Sequence, residues 1–124
     1  MKQVLATEQA PAAIGPYSQG IAAGETVYVS GQLPLDPATV AFPEGIAAQT
    51  AQSLKNIQAI LAQQGMTLAN VVKTTVFLAD INDFAEMNKV YGEFFTQPYP
   101  ARSAVQVAKL PKDAPLEIEC IAVK

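Results

Sequence analysis

The sequence predicts an α+β fold in which two helices cover one face of a β-sheet. Strand-like and helix-like segments follow one another in the order β-β-α-β-α-β-β along the 124 residues. Two helices are too few to cover both faces of such a sheet, so we expect both on the same face. Half of the residues are hydrophobic, which suffices for one core, and we expect a single domain spanning residues 1–124.

Two strands are predicted near the amino terminus. Residues 27–29 form a short apolar run, Val-Tyr-Val, which Ser30 and Gly31 end. Residues 17–22 precede this run across a turn that begins at Gly24. We therefore expect these two strands to pair, with the second ending before Ser30.

Both helices are predicted from apolar residues that recur on one side. Residues 44–64 are rich in Ala, Gln, Leu and Ile, and Gly65 is a natural stop. The second helix follows residues 80–83, which offer capping side chains, and ends at the prolines of 98 and 100. The predicted apolar stripes are Ala47, Ala51, Leu54, Ile57 and Leu61 in the first helix, and Phe84, Met87, Tyr91, Phe94 and Phe95 in the second.

Three further strands complete the predicted sheet. Residues 71–78 are dense in Val and Thr, residues 103–110 alternate in polarity, and residues 116–123 follow a Pro-rich turn. In these strands, apolar side chains occupy both odd-numbered and even-numbered positions, so both faces of the sheet carry apolar side chains. A sheet face that is apolar but lacks helices needs a cover, so we expect a homo-oligomer packed through its sheets. A monomer with a mildly apolar open face is the alternative.

Composition excludes several kinds of active site. The chain has no histidine and one cysteine, so histidine bases, histidine-paired nucleophiles and multi-cysteine metal sites are excluded. A lone cysteine forms no internal disulfide, which favours a reducing, cytoplasmic location. No apolar run approaches the ~20 residues of a membrane span. The net charge of −3 and the absence of Trp make nucleic acid an improbable partner.

Three charged residues are the first candidates for chemistry. Arg102 lies at the start of an apolar strand, where its guanidinium suits bidentate capture of a carboxylate. Glu117 and Glu119 share one face of the last strand with Ile121 and Val123. A carboxyl on such a partly apolar face is desolvated, which raises its pKa and suits acid–base work. The alternatives are a surface arginine and a solvated strand edge.

Other residues have weaker individual signals. Asn88 falls within the apolar stripe of the second helix, where an amide needs hydrogen-bond partners, either from a ligand or from a neighbouring strand. Tyr17 follows a Gly-Pro bend, and Ser30 and Gly31 end a strand, so all three are candidates for lining a pocket. Cys120 alternates onto the apolar face of the last strand and is expected to be an inert core thiol.

Taken together, these segments resemble the RidA (reactive intermediate deaminase A, YjgF-type) family. The resemblance covers nearly the whole chain in order, and its most specific part is the Pro-Ala-Arg-Ser run that begins at Pro100. The matching segments are residues 10–20, 30–34, 72–78, 82–84, Tyr91, 100–108, 110–113 and 117–119.

The resemblance implies both an architecture and an activity. The architecture is that of the single-domain bacterial chorismate mutase, a mixed sheet with two helices on one face. Three such chains form a homotrimer whose sheets build an inner barrel, with clefts between subunits. The activity is that of a 2-iminobutanoate/2-iminopropanoate deaminase. Such an enzyme hydrolyses imines released by pyridoxal-phosphate enzymes to 2-keto acids and ammonia, without a cofactor or a metal.

The resemblance also implies roles for individual residues. Arg102 would bind the substrate carboxylate, and Glu117 would activate the attacking water, directly or with the backbone near Cys120. Asn88 and Tyr91 would come from the second helix, across a subunit interface. The full implied set is Arg102 and Glu117 for catalysis, with Tyr17, Ser30, Gly31, Asn88, Tyr91 and Cys120 for substrate binding.

The chain departs from the family pattern at two places. Ala104 stands where many relatives have a cysteine, and the segment of residues 96–99 looks shorter than in bacterial relatives. Cysteine-dependent regulation at that position is therefore not expected. Two other functions compete with the deaminase. One is a non-catalytic binder or sensor of small carboxylic or keto acids, which would not need Glu117. The other is a holdase or ribonuclease, which the acidic balance and the missing histidine disfavour.

Overall fold

A computed structural model describes residues 1–124 and shows the predicted α+β class. The strands are β1 (Lys2–Leu5), β2 (Gly20–Ala23), β3 (Thr26–Gln32), β4 (Val71–Leu78), β5 (Ala101–Gln106) and β6 (Leu116–Val123). The helices are α1 (Ile46–Ala62) and α2 (Phe84–Phe94), and short 3-10 helices occupy Leu68–Asn70, Ile81–Asp83 and Pro111–Asp113. Neither α-helix has the length and apolar character that crossing a membrane requires.

The six strands form one mixed sheet in the order β1-β2-β3-β6-β4-β5. Only β4 and β5 pair in parallel, because α2 carries the chain back between them. Both helices pack on the same sheet face, where the side chains of Leu116, Ile118 and Cys120 join the core. Residues 117, 119, 121 and 123 of β6 point to the opposite face, which carries no helix.

The strand predictions differ in how well they match. The bounds of β4 and β6 are as predicted. β6 alternates regularly between more and less buried side chains, and β4 does so from Thr74 onward, after an irregularity in its pairing with β6 between Val71 and Lys73. The other four differ. β2, predicted over residues 17–22, spans Gly20–Ala23. β3 does not end before Ser30 but continues to Gln32, through an irregularity in its pairing with β6. β5 begins at Ala101 and ends at Gln106, and β1 was not predicted at all.

The helix predictions also need two corrections. The first helix spans Ile46–Ala62, and its buried side includes the polar residues Thr50, Ser53 and Asn56. The Asn56 amide donates hydrogen bonds to the Leu33 and Leu35 carbonyls, which explains why it is buried there. The second helix ends at Phe94, before the prolines, and Asp80 caps the 3-10 turn that precedes it.

Candidate active site

Arg102 lies on the helix-covered face of the sheet. It is the second residue of β5 and pairs with Thr74 of β4, which is fully buried beneath α2. Side chains of paired residues point to the same face, so Arg102 also points toward α2. The Arg102 Cζ lies 4.7 Å from the ring centroid of Tyr91 and 5.4 Å from that of Phe84. Both rings attract the guanidinium and define its position.

Asn88 is the third residue that holds the Arg102 guanidinium in position. Arg102 Nη1 donates a hydrogen bond of 2.7 Å to Asn88 Oδ1. The predicted place of Asn88 within the buried stripe is wrong: the side chain is exposed, and the buried residues of α2 are Met87, Val90 and Tyr91. Its partner is neither a ligand nor a strand backbone but the Arg102 side chain.

The positive charge of Arg102 is not neutralised within the chain. The one salt bridge of the structure joins Lys109 to Asp113 at 2.8 Å, with both side chains largely exposed. Asn88 is a neutral acceptor and engages one nitrogen of a group that has five N–H donors. The guanidinium therefore retains both charge and donors for an anion. It opens into a cavity of about 420 Å³ that Asn88, Tyr91 and Tyr99 also line.

Tyr91 is held by a residue that sequence reasoning missed. The Tyr91 hydroxyl and the Thr74 hydroxyl share a hydrogen bond of 2.6 Å in the buried layer between α2 and β4. Burial raises the pKa of Tyr91 above its usual value of 10.0, although the Thr74 bond and the Arg102 charge act in the opposite direction. Tyr91 is therefore a neutral platform for Arg102. The one sequence feature that could have indicated Thr74 is its place in the alternation of β4, where a polar threonine occupies a position whose side chain points to the buried face.

Glu117 lies on the opposite face of the sheet from Arg102. It is paired with Phe77 of β4, on the face without helices. Its carboxyl packs over the backbone of Gly31, so closely that a Cβ at residue 31 would lie 2.6 Å from Glu117 Cδ. A side chain at position 31 would therefore displace the carboxyl, and only glycine leaves it this space.

The environment of Glu117 favours its protonated form. The carboxyl is half-buried, and this burial is the main cause that raises its pKa above 4.5. The negative charge of Glu119, two residues along the same face, raises that pKa further. A carboxyl with a raised pKa both accepts and returns a proton more readily near neutral pH than an ordinary glutamate.

An irregular loop builds the wall opposite Glu117. Tyr17, Ser30, Gly31 and Glu117 line one cavity of about 630 Å³, together with Pro11, Ala12, Ile14, Gln32, Leu33, Leu35, Pro111, Lys112 and Glu119. The Ser30 hydroxyl donates to the Ser18 carbonyl, which ties β3 to the loop. The Tyr17 ring is half-exposed, and its hydroxyl accepts a hydrogen bond from the Ile14 amide.

Cys120 belongs to neither group of residues. Its side chain lies in the hydrophobic core, as expected for an inert thiol. Burial, and secondarily the Glu119 charge, raises its pKa to about 12, so the thiolate is disfavoured at neutral pH. A ligand contact through its backbone stays a prediction.

The predicted site residues thus fall into two groups on opposite faces of one chain. Arg102, Asn88 and Tyr91 form one group, and Tyr17, Ser30, Gly31 and Glu117 form the other. No cluster of three or more His, Cys, Asp or Glu side chains could hold a metal ion.

Comparison with known proteins places the chain in a family. The sequence model of the protein family described as "Endoribonuclease L-PSP", which is the YjgF/RidA family, matches residues 7–124. A Salmonella typhimurium protein named 2-iminobutanoate/2-iminopropanoate deaminase is 53% identical, covering 100% of this chain and 99% of the relative. The crystal structure of the Escherichia coli YjgF gene product has a TM-score of 0.94 at 51% identity, covering 98% of each chain. That of Escherichia coli TdcF with bound serine also has 0.94, at 47% identity and 98% coverage of each chain. The chain therefore belongs to the endoribonuclease L-PSP family, that is, the YjgF/RidA family.

Proposed function

We propose that this protein is a 2-iminobutanoate/2-iminopropanoate deaminase. It would hydrolyse short 2-imino acids to 2-keto acids and ammonia. Relatives at 51% and 53% identity over the full chain have this name. The observation that carries the proposal is the guanidinium of Arg102, which is held by two rings and one amide and has no acidic partner. Such a group is prepared for a carboxylate, which every 2-imino acid carries.

Arg102 would bind and orient the substrate through its carboxylate. Its planar fork of N–H donors matches the two oxygens of a carboxylate. Because Phe84 and Tyr91 already fix the guanidinium, little side-chain entropy is lost when the anion binds. The serine bound to TdcF, a relative of the same fold, is also a small molecule with a carboxylate beside a nitrogen-bearing carbon.

Glu117 would supply the proton transfers. The ionised carboxyl accepts a proton from water as the water oxygen forms a bond to the imine carbon, and the C=N double bond becomes single. Protonated Glu117 then gives the proton to the nitrogen of this intermediate. The resulting carbinolamine still carries its hydroxyl proton, which the ionised Glu117 carboxyl takes and passes to the amino nitrogen. The C–N bond then breaks, ammonia leaves with that proton, and the C–O bond becomes the double bond of the ketone. The raised pKa of Glu117 suits these transfers, and an already electrophilic carbon needs chiefly orientation.

The two groups of residues would meet only between chains. Since Arg102 and Glu117 occupy opposite faces of one sheet, a cleft that contains both needs a neighbouring chain. We include a homotrimer with one cleft at each interface in the proposal, as the family resemblance implies. The helix-free face supports an interface, because Tyr28 and Val105 are exposed on it and Ile121 is only partly covered.

A cytoplasmic location is also part of the proposal. The free, buried Cys120 supports it, because reducing compartments leave such thiols unpaired. The family description names an endoribonuclease, but two features of this chain favour small acids over RNA. The net charge is −3, and the unneutralised Arg102 lies in a compact cavity.

Subunit complementation tests the function and the split site together. Arg102→Ala and Glu117→Gln are each expressed alone, and then co-expressed in equal amounts. Each alone should lose at least about 100-fold in turnover of 2-iminobutanoate generated in situ. Among all the trimers that random mixing produces, about one cleft in four combines an intact Arg102 with an intact Glu117 from its neighbour, so about a quarter of wild-type activity should return.

The control is a chain that carries both substitutions. Expressed alone, it forms trimers without any intact Arg102 or Glu117 and should stay inactive. A mixture of the two single variants that stays inactive, with mixed trimers verified by mass, would overturn the shared cleft. Calorimetry with 2-ketobutyrate separates the competing function. If the wild type binds the keto acid but hydrolyses no imine, the protein is an acid-binding sensor and the deaminase proposal is wrong.

A further inference from the structure

The loop between β1 and β2 carries much of the Glu117 cavity wall but has no regular secondary structure. Residues 6–19 contain turns and bends only. Ile14 and Tyr17 project from this loop into the cavity; in the single chain Ile14 is largely exposed and Tyr17 is half-exposed. A wall of this kind needs an anchor, because an unfixed loop has to be ordered each time a ligand binds.

One buried side chain provides that anchor. Gln19 is 4% exposed, and its amide makes four hydrogen bonds to the loop. Oε1 accepts from the Thr7 amide at 2.7 Å, while Nε2 donates to the Thr7 carbonyl at 3.0 Å. The same Nε2 lies 2.7 Å from the Pro11 carbonyl and 3.3 Å from the Ala10 carbonyl.

Gln19 is also fixed to the strand that carries Gly31. Its main-chain carbonyl accepts a hydrogen bond of 2.9 Å from the Ser30 amide. The residue therefore joins three segments: the start of the loop at Thr7, its middle at Pro11, which lines the cavity, and the end of β3 beside Glu117. None of these partners is a near neighbour of Gln19 in sequence, so its contacts hold together segments that are separated along the chain.

We propose that Gln19 is a positioning residue for the ligand-binding cleft. It acts through the loop that carries Tyr17 and holds this wall at a fixed distance from Glu117 before a ligand arrives. The chemistry requires glutamine, because one side of the group must accept from an N–H while the other donates to carbonyls. Glutamate of nearly the same shape would turn a negative oxygen toward the Ala10 and Pro11 carbonyls and repel the loop.

The inference rests on the proposed function only for the choice of ligand, a 2-keto acid and its imine. The test compares wild type, Gln19→Glu and Gln19→Met, the last of which keeps the volume but makes none of the bonds. Gln49→Glu is the matched control, since the Gln49 amide donates to the Pro43 carbonyl in a loop outside the cleft. The measurements are the Kd of 2-ketobutyrate by calorimetry, kcat and KM for 2-iminobutanoate, and amide hydrogen exchange.

We expect Gln19→Glu and Gln19→Met to raise both Kd and KM about tenfold while kcat changes less than about threefold, because a displaced wall weakens ground-state binding. Exchange should accelerate across residues 6–18 but stay unchanged in α1 and β4. Gln49→Glu should leave Kd and KM at their wild-type values.

A purely structural role gives a different result: fewer binding sites with unchanged Kd and KM, and faster exchange throughout the sheet. That result, or unchanged exchange in residues 6–18, would overturn the proposal. Failure of the deaminase function is distinguishable, because it removes turnover from the wild type itself. Hydrogen exchange of the loop then still decides whether Gln19 holds it.

Discussion

The Arg102 and Glu117 regions solve the problem of placing a charged side chain in opposite ways. Arg102 sits between regular elements, with a strand beneath it, two rings of α2 beside it and a hydrogen bond from its own Nη1 to Asn88. Glu117 also starts from a strand, but its cavity is closed by a loop without regular structure. Neither a counter-ion nor a hydrogen bond within the chain stabilises its ionised form.

This difference matches the roles that we propose for the two regions. A carboxylate-binding cation gains from a rigid seat, because its position sets the orientation of the substrate. A proton-transferring carboxyl gains from poor stabilisation of its charge, because strong partners would lower its pKa and weaken it as a base. One region is therefore built for position and the other for reactivity. The following predictions test that contrast, beginning with the largest expected effect.

Arg102 substitutions should produce the largest loss of activity. Removing the guanidinium in Arg102→Ala should lower kcat/KM for 2-iminobutanoate about 10³-fold, because the only prepared carboxylate partner is gone. Arg102→Lys keeps the charge but loses the fork and the fit over Tyr91, so we expect a loss of about 10²-fold. Steady-state kinetics check both. Lys109→Ala, which removes a cation in an exposed ion pair, is the control and should stay near wild type. Equal activity of Arg102→Lys and wild type would show that the contacts of the guanidinium with Phe84, Tyr91 and Asn88 do not matter for activity.

Gly31→Ala should affect the Glu117 region alone, with an intermediate effect. The added Cβ would lie 2.6 Å from Glu117 Cδ, so the carboxyl has to move. We expect kcat to fall about tenfold while the Kd of 2-ketobutyrate changes little, because the Arg102 seat is on the other face. The same methyl should cost less in the Glu117→Asp background, where the shorter side chain withdraws from position 31. Additive effects of the two substitutions would contradict this steric explanation.

The strongly patterned parts of the fold could be predicted from sequence. β4 is dense in Val and Thr and β6 alternates regularly, and the ends of both match the prediction, whereas β1, an edge strand with exposed Lys2 and Gln3, has no such pattern. Asn88 was misplaced because a residue at the edge of a helical stripe has the same spacing as one inside it. Its hydrogen bond to Arg102 depends on how α2 crosses β5, which is a tertiary relation.

The split between the two halves of the site could not be predicted in the same way. That Glu117 faces away from Cys120 follows from strand alternation alone. That Arg102 faces α2 depends on its pairing with Thr74 in a parallel register, which is set by the whole crossover rather than by local residues. Gln19 had no local signal, because its partners lie 8 to 12 residues away in an irregular loop.

Glu119→Gln should have the smallest effect, confined to the pH dependence. Glu117 must be ionised to accept a proton from water, so kcat/KM falls as the pH drops through the pKa of Glu117. Burial is the main cause of the raised pKa and remains in the variant, while the second cause, the Glu119 charge, is removed. The acid limb of the profile should therefore move to lower pH without reaching the position of an ordinary glutamate.

The Glu119→Gln substitution should also change how the stability of the fold depends on pH, and the direction of that change follows from the raised pKa of Glu117. A carboxyl whose pKa is raised by folding binds its proton more tightly in the folded chain. Its contribution to stability is therefore full below pH 4.5 and is lost as the pH rises through the raised pKa. Glu119→Gln should reduce this loss, which thermal unfolding at several pH values measures. Glu25→Gln, in the turn between β2 and β3, is the control and should move neither profile. An acid limb that stays in place, or moves to higher pH, would mean that Glu119 does not tune Glu117.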